Sequence, residues 1–167
     1  MKVKDIRSHI ENFIKIQGIE ANVQYSKPWH FNFHKGEKVP FGDCTGIYLY
    51  AEALSDNWNI PIESCQRDIW YIGKSEGDLG GRVWKHMGLI YEPNSREVCT
   101  PRFKYNDWHS DADVPADIKR QIADGELVVY TIKLVSEKTL LALALEKYLL
   151  SIHVRVTGRL PVLNKDL

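Results

Sequence analysis

The chain lacks paired cysteines at the spacing that metal centres and redox motifs need. Cys44, Cys65 and Cys99 are odd in number and far apart, with no CxxC. Neither a zinc site nor a disulfide framework is expected, and each reads as a small buried apolar residue in a reducing cytoplasm. A long apolar run is also missing. The longest, Leu140 to Leu145, falls far short of the roughly 20 residues needed to cross a bilayer. The first residues lead into a mixed polar helix pattern, so no secretory leader is expected. No sign of charge dominates: 22 Lys and Arg balance 22 Asp and Glu. That balance argues against a protein that coats nucleic acid without selectivity, and is compatible with a local basic cleft. There is no internal repeat and no low-complexity segment.

What is present suits one domain. Of the 167 residues, 44% are apolar, enough to build a core, and 26% are charged, as in ordinary globular proteins. Residues 3–17 have a helical apolar period through Val3, Ile6, Ile10, Phe13 and Ile14, with Gly18 as C-cap. Trp29, Phe31 and Phe33 alternate with His30, Asn32 and His34, which predicts a strand. The β-prone runs 46–51 and 69–72 predict an antiparallel hairpin with a long connection. Asp78 is placed to cap a helix holding Arg82 to Met87. Residues 88–114 read as irregular, 115–123 as a short helix opened by Pro115, and 126–135 as a third strand with Val128, Tyr130, Ile132 and Leu134 on one face. Residues 136–153 predict a helix apolar on nearly every side, hence buried, with Ser136 and Thr139 available to cap its start.

The chemistry-bearing residues punctuate this framework. Gly46-Ile47-Tyr48 and Tyr71-Ile72-Gly73 stand on the two hairpin strands, followed by Lys74 and a Gly-rich turn. Arg82 and His86 then share a helix face at i, i+4. Glu146 is the sole acid in the leucine-rich stretch 140–152. An ionised carboxylate buried there without a partner would cost roughly several kcal/mol. Either a bound cation or an ion pair with Lys147, Arg155 or Arg82 would relieve that cost. Pro161-Val162-Leu163-Asn164 closes the pattern. His30 and His34 have no third ligand near them and sit in a strand-like segment, which does not favour zinc.

In that order, these features resemble the GIY-YIG nuclease superfamily, which includes homing, excision-repair and some restriction endonucleases. The resemblance spans residues 46–164. It implies an α+β fold with a small central antiparallel sheet of three core strands flanked by helices, the order also read from the residues. The whole of 1–167 is then one domain. Residues 1–45 form an N-terminal extension, and insertions lie near 52–66 and 88–115. The implied activity is metal-dependent hydrolysis of DNA phosphodiesters, with Glu146 holding Mg²⁺ or Mn²⁺. Arg82 would clamp the scissile phosphate through its charged fork, and His86 would bond it or shuttle a proton. Tyr48 would orient or deprotonate the water and Tyr71 hold it in line, with Lys74 and Arg82 lowering the phenol pKa values. Asn164 matches a supporting position, and also reads as a plain turn residue. Lys85, Arg102 and Lys104, with Arg96, Tyr105 and Trp108 around the latter two, suit DNA contact.

A restriction or defence enzyme is the first expectation within the family, since repair and mobile-element members join the module to other domains. A homodimer is expected if the sites cut are palindromic. Two other classes stand beside it: a catalytically silent nucleic-acid-binding module of the same fold, favoured by the neutral charge, and a nuclease toxin with an immunity partner.

Overall fold

The computed structural model describes residues 1–30, 33–34, 37–53, 58–86, 112–136 and 140–165, with the side chains of 84–86 outside the description. Among the described residues five strands form one antiparallel sheet: β1 (Asn22–Tyr25), β2 (Trp29–His30), β3 (Thr45–Glu52), β4 (Ile69–Glu76) and β5 (Leu127–Val135). Four α-helices among the described residues accompany them: α1 (Asp5–Gln17), α2 (Leu79–His86), α3 (Ala116–Ala123) and α4 (Leu141–Thr157). β5 pairs with β1 and β2 on one side and β3 on the other, and β3 separates β5 from the edge strand β4. The class is α+β, and the three longest strands are the three expected from the sequence.

β3 is buried on both faces, and its alternation splits two cores. Ile47, Leu49 and Ala51 enter the first core with Val128, Tyr130, Ile132 and Leu134 of β5. There α1 contributes Ile6, Ile10 and Phe13, and α4 contributes Leu141, Leu145 and Leu149. Each such side chain contributes about 1.5–3 kcal/mol on full burial. Tyr48 and Tyr50 point the other way, into a second core with Leu79 and Val83 of α2, Ile122 of α3, Val39 and Leu163. The sheet thus lies between α1 and α4 on one side and α2 and α3 on the other.

Two expectations are corrected. The strand through residues 29–34 stops at His30, because the backbone N–H of His34 donates to the His30 carbonyl at 3.0 Å. His34 Nδ1 accepts the His30 N–H at 3.0 Å, so the chain turns where aromatic alternation predicted extension. Phe31 and Asn32 lie outside the described residues. The long helix begins at Leu141 rather than Ser136. The Ser136 hydroxyl donates instead to the Glu20 carbonyl at 3.2 Å, tying the end of β5 to the α1–β1 connection. Thr139 lies outside the described residues, and Leu140 is left-handed at φ 66° and 60% exposed, a conformation costly for a bulky residue. At the other end the helix passes His153 and reaches Gly158, which caps it at φ 77° with its N–H on the Val154 carbonyl at 2.8 Å. No helix among the described residues is long and apolar enough to cross a membrane.

Among the described residues two histidines are buried, His30 at 2% and His153 at 5% exposure. Burial lowers both pKa values; His30 falls to about 4, with His34 and Arg67 adding to the effect. A base whose folded pKa is depressed stabilises the fold above its unfolded pKa and loses that stabilisation as pH falls through the folded value. Urea midpoints should therefore drop between about pH 6.5 and 4. His30→Phe, which has no proton to take up, should flatten that slope. An unchanged slope in the variant would remove His30 from the account.

Candidate functional site

The site is built where β3 and β4 pair. The register sets Tyr48 opposite Gly73 and Tyr50 opposite Tyr71. Residues two apart on a strand share a face, so Tyr48 and Tyr50 lie together and Tyr71 joins them from the next strand. Their ring centroids form a near-equilateral set: 5.5 Å for Tyr48–Tyr50, 5.7 Å for Tyr48–Tyr71 and 5.3 Å for the stacked Tyr50–Tyr71 pair. Gly73 makes room for this. A Cβ there would lie 2.5 Å from the Tyr71 ring and 2.6 Å from the Tyr48 hydroxyl oxygen.

α2 brings the cation. Asp78 Oδ1 accepts the Gly81 N–H at 2.7 Å, which is the cap read from the sequence, and its carbonyl receives the Arg82 N–H at 2.9 Å. Leu79 and Val83 anchor the helix in the second core while Arg82 stays exposed. Tyr71 and the Arg82 guanidinium are the polar groups that act on the Tyr48 hydroxyl.

The phenols do not behave as the sequence led us to expect. Burial pushes Tyr48 well above the usual tyrosine range; Tyr71 reinforces the rise, and Arg82 opposes it only in part. Tyr71 also rises, chiefly by burial and further through the charge of Glu146, against Tyr48 and Arg82. Desolvation outweighs the cation, so in this conformation both groups are neutral phenols and hydrogen-bond donors. Lys74 is not the cation acting on either phenol: its ammonium pairs with Glu76 at 2.5 Å.

Glu146 belongs to α4, on the opposite side of the sheet from α2, yet its charge acts on Tyr71. It is partly buried, and among the described residues its carboxylate makes no hydrogen bond and no ion pair. The pairings with Lys147, Arg155 or Arg82 that would have neutralised it are not formed. Burial holds its pKa above the usual carboxylate range, Lys147, Lys74 and Arg82 pull it back, and Glu76 adds to the rise. No group of three or more His, Cys, Asp or Glu side chains converges among the described residues. A partly buried carboxylate is the kind of ligand that a largely hydrated hard cation takes.

Asn164 spends its side chain on β4. Its Oδ1 accepts the Ile72 N–H at 2.9 Å and its Nδ2 donates to the Ile72 carbonyl at 2.8 Å, while Leu163 N–H reaches the Trp70 carbonyl at 2.9 Å. It positions the strand that carries Tyr71, and is more than a turn asparagine. His86 and Lys85 belong to α2, but their side chains lie outside the described residues. Arg96, Arg102, Lys104, Tyr105 and Trp108 lie outside them altogether. Two neighbours went unnoticed in the sequence: Tyr50, which the two-residue strand period from Tyr48 would have found, and Glu76, which shares a β4 face with Lys74. No family model, curated protein or solved structure matches the chain.

Proposed function

We propose that the protein is a divalent-metal-dependent endonuclease acting on DNA phosphodiesters in the cytoplasm. The observation that carries this reading is the desolvated carboxylate of Glu146, without a hydrogen bond or ion pair among the described residues, whose charge acts on Tyr71 beside Arg82. The order of elements in the GIY-YIG resemblance supports it. Glu146 would hold Mg²⁺ or Mn²⁺, which supplies charge neutralisation at the phosphate and acidifies bound water. Arg82 is the exposed guanidinium that grips the phosphate bidentately. Tyr71 and Tyr48, as neutral phenols, orient the attacking water by donating to it or to each other and do not deprotonate it. Lys74 adds positive charge at the strand edge, and Asn164 fixes the strand. His86 remains the candidate proton carrier.

The complete burial of Tyr48 favours a second reading, a silent module that binds nucleic acid without cutting it. Purified protein incubated with supercoiled plasmid and Mg²⁺ or Mn²⁺ separates the two. The enzyme should nick only with metal, and Arg82→Ala should slow nicking by about 100-fold or more. Cutting of neither DNA nor RNA under either metal would leave the binding module. Discrete fragments would mark a restriction-type enzyme, and a smear a less selective one.

A further inference from the structure

The register gives Lys74 and Glu76 a different face of β4 from Tyr71. Lys74 stands opposite Ile47, and Ile72 opposite Leu49, across the β3–β4 ladder. Ile47, Leu49 and Ile72 enter the first core, to which α4 also contributes. Directly opposed residues share a face, and so do residues two apart on one strand. Lys74 and Glu76 are therefore on the α4 side of β4, and Tyr71 is on the other. Glu146 belongs to the same side. Ala142 and Leu150, four residues before and after it on α4, are buried in that core, so Glu146 leaves the helix on its core-facing side. Lys74 and Glu76 both act on its carboxylate, with opposite signs.

Two acids thus compete for one ammonium. Glu146 is the more buried of them, and a carboxylate shielded from water attracts a cation more strongly than an exposed one. Lys74 is nevertheless held by Glu76, Nζ to Oε1 at 2.5 Å. Glu146 has no hydrogen bond or ion pair among the described residues. The other cations that act on Glu146 are worse placed to close onto it. Lys147 follows it directly on the helix, where adjacent side chains point about 100° apart. Arg82 belongs to α2, on the far side of the sheet.

We propose that Glu76 is a positioning residue: by holding the Lys74 ammonium on β4, it keeps Lys74 from closing onto the Glu146 carboxylate, which stays open to a divalent cation. This rests on the reading of Glu146 as the metal ligand, and adds the device that stops the protein's own lysine from taking the metal's place. Glu76 itself does not touch the metal.

The test is a double-mutant cycle read by Mn²⁺ binding to the full chain without nucleic acid. Electron paramagnetic resonance of the free ion reports the binding, and Glu146→Gln supplies the background from other carboxylates. Glu76→Gln should weaken the Glu146-dependent binding by about fivefold, as the freed lysine pairs with Glu146. In a Lys74→Met background the same substitution should cost less than about twofold, because no ammonium is left to release. Glutamine and methionine keep the size of the side chains they replace, so matching thermal melts should show all variants folded. An equal loss in both backgrounds would mean that Glu76 acts only through its charge or by ligating the metal, and overturns the proposal. So does a Glu76→Gln variant that binds like the wild type. In both cases loss of binding in Glu146→Gln still upholds the metal assignment. A wild type that binds no more Mn²⁺ than Glu146→Gln overturns both.

Discussion

Glu146→Gln should reduce metal-dependent plasmid nicking by at least about 1,000-fold, roughly 4 kcal/mol of barrier, and leave the protein no less stable than before. The two halves of this result come from the same cause. The carboxylate is desolvated without a partner among the described residues, and its pKa is raised chiefly by that burial. An acid whose folded pKa lies above its unfolded one favours the protonated native state. The wild type therefore gains stability as pH falls through the folded pKa, and its charge is a cost at neutral pH. The neutral, isosteric amide avoids that cost. Because the site is partly open and screened, the gain should be about 1–3 °C in Tm at pH 7. It should vanish below about pH 4, where wild-type Glu146 is protonated in both states. Nicking assays paired with thermal melts at both pH values decide the matter. A variant that cuts like the wild type would end the metal assignment. One that loses both activity and several degrees of Tm would show Glu146 to be a structural residue.

Gly46→Ala should lower Tm by about 10 °C, or prevent folding outright, through a cost of about 3–5 kcal/mol. Gly46 faces Lys133 across the β3–β5 ladder. A Cβ at this position would overlap the Ile132 carbonyl oxygen and lie 2.8 Å from Leu79 Cδ2. The leucine can rotate, but the carbonyl is backbone, so relief requires the two central strands to part. Leu79 is also the residue that seats α2 on the sheet, so the disturbance reaches Arg82. Gly42→Ala is the matched control, since nothing lies within 4 Å of its Cβ position. Circular-dichroism melts that place the two variants together would refute the packing argument.

Much of this architecture can be read from the residues because period and punctuation agree. β3 and β5 are rich in β-branched and aromatic residues, and α1 ends at a left-handed glycine. The misreadings have local causes. Trp29 to His34 alternate like a strand, but a histidine ring can supply the hydrogen bond that a neighbouring strand would have given. Ser136 looks like a helix cap until a distant carbonyl takes its hydroxyl. β1 is four half-exposed residues with a weak pattern, and only its pairing with β5 makes it a strand. For the site, residue identities were legible and their electrostatics were not. The sequence shows cations near tyrosines; only the fold shows how deeply Tyr48 is buried and which effect prevails. That the charge of Glu146, on α4, acts on Tyr71 of β4 is likewise a product of topology, invisible to spacing.

The seam formed by Leu163 and Asn164 makes the two borders of the sheet unequal. An uncovered outer strand presents a row of amides and carbonyls that can recruit a foreign chain. On β4 the amide and carbonyl of Ile72 and the carbonyl of Trp70 are already occupied by the chain's own tail. Intermolecular strand addition is thus blocked beside Tyr71, and any growth of the sheet into a larger assembly falls to the β1 border, three strands away.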